Sequence, residues 1–303
     1  MKIIIGVDGG GTKIEACAYD LDGKLLGTGM SGFGNLLIES NVAISNIIES
    51  IEKCLEQLPK LSECLHIYLG LAGSDNSDQI EKLEKSLKKF NAPTTIMNDA
   101  RIAHAAVLEG RDGILTIAGT GSVSYGICDG KIDMTGGWGH LLGDEGSGYW
   151  VAIEAIKQMI AQKDNGKSLS KLSLALLNKL KIKEVQEVKS FIYQTSKGEV
   201  ASLVPIIVQA AKSGSEDAIH ILYKAGRYLG DMTVQLYRKL QLKPDVTVAM
   251  KGSILVNIEY VQNSFMARIL EEIPDVTFNW DNISATKGAY FLAMNESQSN
   301  LFL

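Results

Sequence analysis

Short apolar runs alternate with helical-period stripes along this chain, and their order predicts an α/β protein. Lys2–Val7 is an apolar run of buried-strand length, followed by a turn at Asp8-Gly-Gly-Gly-Thr12. Lys13–Tyr19 alternates, with Ile14, Ala16 and Ala18 on one face. Asp22-Gly23 is a hairpin signal, and Lys24–Gly29 returns as a third strand. Ile44, Ile47, Ile48, Ile51, Leu55 and Leu58 then recur at helical spacing until Pro59 stops them. A strand (65–72), an amphipathic helix (79–90), a strand (94–97) and a helix (100–108) complete the first part.

At residue 113 the pattern restarts. Gly113–Ala118 reads as a strand, Gly119-Thr-Gly-Ser122 as a glycine-rich turn, Val123–Cys128 as a strand, Asp129-Gly130 as a hairpin turn and Lys131–Met134 as a third strand. Asp22-Gly-Lys24 and Asp129-Gly-Lys131 hold equivalent places, which reads either as a duplicated domain or as two independent common hairpins. From 144 to about 240 the chain is mainly helical, with a long stripe through Leu222, Ala225, Leu229, Met232, Leu236 and Leu240. A strand (246–250) leads into Lys251-Gly-Ser253 and a helix beginning near Leu255. The last helix starts near Ile283.

Composition narrows the classes. The 303 residues carry 30 Lys+Arg against 35 Asp+Glu, a net charge of −5, which argues against a nucleic-acid partner. Hydrophobic residues make up 46% and charged residues 21%, enough to bury a sizeable core. No apolar run approaches the ~20 residues a bilayer span needs, and no secretory signal is read, so no membrane association and a cytoplasmic location are expected. Cysteines 17, 54, 64 and 128 form no C-x-x-C and read as small buried hydrophobes. Glycine is enriched, at 30 residues, and proline is scarce, at 5.

The glycines concentrate in turns. No Walker-type loop occurs, and the one G-x-G-x-x-G (Gly27, Gly29, Gly32) closes a third strand rather than opening a helix, so it is not a dinucleotide fingerprint. Asp8–Thr12 and Gly119–Ser122 both sit between strands. Each alone reads as a tight hairpin turn; as a pair they could clamp the phosphates of one nucleotide, with Thr12 and Thr120 donating hydroxyls and Asp8 holding Mg²⁺ through water. Gly252-Ser253 suits an adenosine or α-phosphate contact, or is an ordinary strand-to-helix turn. Asp99, at a strand end ahead of a predicted helix, reads as an N-cap or as an exposed carboxylate at a strand's carboxyl end, where α/β sheets bind ligands.

Ile4–Lys13, Ile117–Ser122, the fifteen residues Gly136–Trp150 and Lys224–Gly230 together resemble the N-acetylglucosamine kinases of the actin-like ATPase superfamily, over nearly the whole chain. The resemblance implies two ribonuclease H-like domains, each a mixed sheet flanked by helices, with the active site in the cleft between them. The N-terminal domain would comprise 1–112 completed by 284–303, and the C-terminal domain 113–283. It implies ATP-dependent phosphorylation of the 6-hydroxyl of an amino sugar, with Mg²⁺ as metal. Asp99 becomes the catalytic base; Asn35, Gly137, Trp138 and Asp144 join it around the sugar. Gly10, Gly11, Thr12, Lys13, Gly119, Thr120, Gly121, Ala211, Gly252 and Ser253 surround the nucleotide, with Asp8 at the metal. On the residues alone, Asn35 reads equally as a loop turn, Asp144 as an N-cap, Trp138 as a core aromatic and His140 as structural.

One departure bears on specificity: Val123 stands where the animal enzymes carry a sugar-contacting Asn. That change leaves open the preference among the sugars the resemblance implies, N-acetylglucosamine first, then N-acetylmuramic acid and glucosamine; assembly as a homodimer is also left open. Two other activities share the superfamily: an activator ATPase of an acyl-CoA dehydratase, which would need cluster cysteines, and a non-catalytic nucleotide switch.

Overall fold

The computed structural model describes residues 1–11, 13–36, 39–74 and 77–300. The chain divides into two compact units, Met1–Asp112 with Asp281–Leu303, and Gly113–Trp280.

The first unit opens with β1 (Lys2–Gly9), β2 (Ile14–Tyr19) and β3 (Leu25–Ser31), continues through α1 (Ser40–Leu55), β4 (Glu63–Leu71), α2 (Ser77–Leu87) and β5 (Thr94–Asn98), and reaches α3 (Asp99–Val107). The sheet order is β3-β2-β1-β4-β5. The hairpin strands run antiparallel and β1, β4 and β5 run parallel. Asp8 and Gly9 are still paired, to Glu15 and Ile14 on one side and to Gly70 and Leu71 on the other. The first turn is therefore tighter than the sequence indicates, because ladder bonds hold Asp8 and Gly9 in the strand. Ile3, Ile5 and Val7 of β1, Ile47 and Ile51 of α1, and Leu69 and Leu71 of β4 share one buried core. Each such side chain contributes roughly 1.5–3 kcal/mol by leaving water.

The second unit repeats the opening with β6 (Gly113–Ala118), β7 (Ser122–Cys128) and β8 (Lys131–Gly136). Then come α4 (Gly148–Asp164), α5 (Lys171–Leu180), α6 (Val188–Gln194), α7 (Lys197–Ala201), α8 (Val204–Lys212) and the long α9 (Glu216–Leu240). β9 (Thr247–Lys251), α10 (Ser253–Asn257), α11 (Glu259–Leu270) and β10 (Thr277–Asn279) complete it. Its sheet order is β10-β9-β6-β7-β8, the same hairpin-plus-parallel arrangement. A buried hydroxyl trio ties α9 to this sheet: Thr116 bonds Ser124 at 2.8 Å and Thr233 at 2.7 Å, and Thr233 donates to the Leu229 carbonyl. With each hydroxyl partnered, three polar groups are buried without an unmade bond.

The chain then returns to the first unit and ends in α12 (Gly288–Asn300). The return begins at Asp281 rather than at 284. Ser284 donates to the Glu15 carboxylate at 2.6 Å, and Thr286 pairs with the Tyr19 hydroxyl at 2.8 Å, so the segment is already bonded to β2 before the helix starts. A one-turn helix, Ala285–Lys287, takes up the residues from which the last helix was expected to begin. Residue 6 of β1 is glycine because this turn lies on it: a Cβ there would sit 2.0 Å from the Thr286 carbonyl oxygen.

Candidate active site

In the first unit, the parallel strands end together. Asp8 lies in register with Gly70 and Met97, and the next row is Gly9, Leu71 and Asn98. With strands ~4.8 Å apart, roughly 10 Å separates Asp8 from Met97 in its row, and Asp99 follows two residues beyond Met97 at this carboxyl edge. Open parallel sheets bind ligands at such edges. The helix N-cap here is Asn98, whose side chain accepts from Ala100 N–H at 2.8 Å. Asp99 is thus the first residue of α3 and not its cap. Its carboxylate also receives the Ala100 N–H, at 2.9 Å, where the positive end of the helix dipole favours an anion. Gly70 allows this placement, since a Cβ on it would lie 2.1 Å from Ile102 and 3.3 Å from the Asp99 Cα.

The first glycine turn is held by main chain. Gly10 N–H donates to the Lys13 carbonyl at 3.1 Å, and Gly34 N–H donates to the Gly10 carbonyl at 2.9 Å. Leu36 donates to Ala72, and Ala72 to Gly9. The loop carrying Asn35 is thereby laced to the ends of β1 and β4, next to Gly10, Gly11 and Lys13. Thr12 lies outside the described residues.

In the second unit, Gly119 N–H closes its own turn onto the Gly121 carbonyl at 3.0 Å, and Gly148 N–H, the first of α4, donates to the Gly119 carbonyl at 2.8 Å. Tyr149 N–H reaches the Thr120 carbonyl at 3.3 Å. Asp144 is buried, at 3% exposure, and adopts a left-handed backbone with φ 63°. It is not an N-cap; that role belongs to Ser147, whose hydroxyl accepts from Trp150 N–H at 3.2 Å. One Asp144 oxygen accepts from Ser122 N–H at 3.3 Å, and Ser122 donates its hydroxyl to the Glu145 carbonyl at 2.8 Å. The other oxygen, Oδ2, has no hydrogen-bond partner among the described residues. Leaving a buried carboxylate oxygen unpaired is costly, so this atom is poised to receive a donor.

Gly137, at φ 75°, donates its N–H to the Ser122 carbonyl at 3.0 Å, which brings the Gly136–Trp150 stretch onto the same turn. Trp138 is 75% exposed and so is not a core aromatic. Val123 packs beneath the strip, 3.1 Å from where a Gly137 side chain would begin. Gly252, at φ 90°, lies so close to Ala118 that a Cβ would fall 2.3 Å from its carbonyl oxygen, and Ser253 opens α10 immediately after it, two residues before the expected start. Gly119, Thr120, Gly121, Gly137, Asp144, Gly252 and Ser253 therefore form one cluster. Ala211, buried on α8, receives the Tyr260 hydroxyl on its carbonyl at 3.5 Å. His140 packs edge-on against Tyr149, with ring centroids 4.8 Å apart.

Sequence reading missed Lys197, whose ammonium lies 3.8 Å from Asp144 Oδ2. Its local signal is only the helix-opening box Ser196-x-x-Glu199, and nothing in the sequence ties α7 to a carboxylate more than fifty residues earlier. The cysteines are not arranged as ligands. Burial pushes the Cys54 thiol up to about 12 and that of Cys64 to about 11. Among the described residues no three His, Cys, Asp or Glu side chains gather into a metal-holding group.

Two five-stranded mixed sheets, each opened by a hairpin with a glycine turn and flanked by helices, define an actin-like ATPase of the carbohydrate-kinase class. The chain belongs to the BadF/BadG/BcrA/BcrD ATPase family, whose model matches residues 5–290. It is 32% identical to an N-acetylmuramic acid/N-acetylglucosamine kinase of Clostridium acetobutylicum, over 98% of this chain and 99% of that one. An N-acetyl-D-glucosamine kinase of Dictyostelium discoideum is 27% identical, again over 98% and 99%. Among solved structures, a candidate N-acetylglucosamine kinase from Chromobacterium violaceum superposes with a TM-score of 0.78 at 25% identity, covering 96% of this chain and 99% of that one.

Proposed function

We propose that this enzyme transfers the γ-phosphoryl group of Mg-ATP to the 6-hydroxyl of N-acetylglucosamine or a close relative, N-acetylmuramic acid or glucosamine, in cytoplasmic amino-sugar or cell-wall salvage. The observation that carries the reading is Asp99, a carboxylate on the first residue of α3, directly past the carboxyl end of β5. As base, Asp99 takes the hydroxyl proton while the sugar oxygen bonds to the γ-phosphorus. The bond from that phosphorus to the β,γ-bridging oxygen breaks, and ADP leaves. Asn35 and Asp144 hold sugar hydroxyls, with Gly137 and Trp138 along the ring.

Gly10, Gly11, Thr12, Lys13, Gly119, Thr120 and Gly121 take the phosphates, and Ala211, Gly252 and Ser253 the adenosine side. Asp8 fits Mg²⁺, a hard ion that uses one or two carboxylates together with phosphate and water oxygens and would neutralise phosphate charge when bound. ADP release is measured with N-acetylglucosamine, N-acetylmuramic acid, glucosamine and glucose. Sugar-dependent turnover is expected with at least one amino sugar, and its absence with all of them overturns the reading. Asp99→Asn is expected to lower kcat by about 10²–10⁴-fold while ATP binding is kept.

A further inference from the structure

Asp144 and Lys197 make an unusual pair. The Asp144 side chain is 4% exposed and the Lys197 side chain 44%. At 3.8 Å, their separation is beyond a hydrogen bond. Asp144 Oδ1 is used by the Ser122 amide, and Oδ2 points toward Gly121 and Lys197 with no hydrogen bond among the described residues. Lys197 is not there by accident of a loose surface chain. It is the first residue of α7, a helix closed by a reciprocal Ser196–Glu199 box. One turn on, Ala201 packs 3.4 Å from where a Gly148 side chain would begin, and Gly148 is bonded to Gly119. The helix that carries Lys197 is thus packed at the edge of the glycine cluster, with the ammonium 3.8 Å from Asp144 Oδ2.

A carboxylate oxygen wanting a donor beside an ammonium offering three matches one chemical group in particular. A hydroxyl can donate to the first and accept from the second at once. We propose that Asp144 and Lys197 together read one hydroxyl of the sugar, making Lys197 a substrate-binding residue. The inference rests on the amino-sugar kinase reading and adds to it the donor half of the recognition. A charge-assisted bond of this kind is strong because both partners are ionised groups in a partly dry setting. The hydroxyl fills the gap between two charges that do not bond each other directly.

The test is steady-state kinetics of Lys197→Met and Lys197→Arg with N-acetylglucosamine and with its 3-deoxy and 4-deoxy analogues. For Lys197→Met the sugar KM is expected to rise about 10- to 100-fold, with kcat and the ATP KM nearly unchanged. Lys197→Arg recovers part of the loss. The analogue lacking the hydroxyl that is read should be turned over equally poorly by wild type and Lys197→Met, whereas the other analogue still distinguishes them.

An unchanged sugar KM overturns the proposal. So does a rise in the ATP KM instead, which would assign Lys197 to phosphate, or a loss confined to N-acetylmuramic acid, which would assign it to the acid's carboxylate. Wild-type enzyme without any sugar-dependent ADP release sinks the kinase reading itself. Active wild type with an unaffected Lys197→Met sinks only this inference.

Discussion

The two glycine turns open equivalent hairpins but are held by different means. The first, around Gly10, Gly11 and Lys13, is fastened by main-chain bonds to its own residues and to the loop at Gly34. The second, Gly119–Gly121, is fastened by main chain from the first turn of α4 and also by a buried carboxylate, Asp144, packed against Gly121 and bonded to Ser122. Similar sequence motifs thus hide unlike supports. In the second unit the turn proposed for phosphate and the carboxylate proposed for sugar touch, so a change in one must be felt by the other. In the first unit the equivalent link is the backbone bond from Gly34, next to Asn35, to Gly10.

The largest effect is expected where support depends on backbone approach. Gly252→Ala forces a side chain into the Ala118 carbonyl from a left-handed backbone, and a loss of about 2–4 kcal/mol is expected, read as a lowered Tm and denaturant midpoint. An unchanged Tm would show that the 252 turn is not pinned to β6. Next in size is a pair that separates the two roles of the second turn. A Cβ at Gly119 meets nothing within 4 Å, whereas one at Gly121 would lie 2.8 Å from Asp144 Oδ2. Gly119→Ala is therefore expected to keep its Tm and raise the ATP KM about tenfold, while Gly121→Ala displaces Asp144 and raises the sugar KM as well. Equal effects of both substitutions on both substrates would erase the distinction drawn here.

The smallest effect concerns the first unit's core, which the second unit does not match in buried thiols. Cys54 is fully buried and its thiol is pushed up to about 12, mainly by desolvation. The unfolded thiol ionises near its ordinary value of 9.0 and the folded one does not. The contribution is complete below pH 9 and is lost as pH rises toward 12; at pH 10, where the fall is to be read, the loss is about 1.4 kcal/mol. Cys54→Ala is expected to flatten the alkaline fall of Tm, and an identical fall in the variant would place its origin elsewhere.

Much of the fold was legible because hydrophobic period and turn chemistry agree. Asp22-Gly23 and Asp129-Gly130 mark hairpins, and Ile44, Ile47 and Ile51 face one core as their spacing requires. Less was legible where only tertiary pairing decides. β10 is three residues long and exists as a ladder on β9, too short to carry a period of its own. The apolar spacing runs on to Leu58 and Pro59, yet α1 ends at Leu55, before the proline acts. At the site, the strand-end position of Asp99 is legible from its neighbours, but the backbone decides that Asn98 and not Asp99 takes the N-cap position. The meeting of Lys197 with Asp144 depends on how α7 lies across α4, which no local pattern encodes.

The return of the chain to β1 also sets an order of events during synthesis. Tyr19, Gly6 and Glu15 leave the ribosome early, but Ser284 and Thr286, which bond or cover them, emerge much later. The whole second unit is made in between, a delay on the order of ten seconds or more at 5–20 residues per second. During that time the newborn first sheet carries an uncovered face. A nascent chain stalled before residue 281 would present that face to chaperones, and a truncation there would leave the first unit unfinished however well the second had folded.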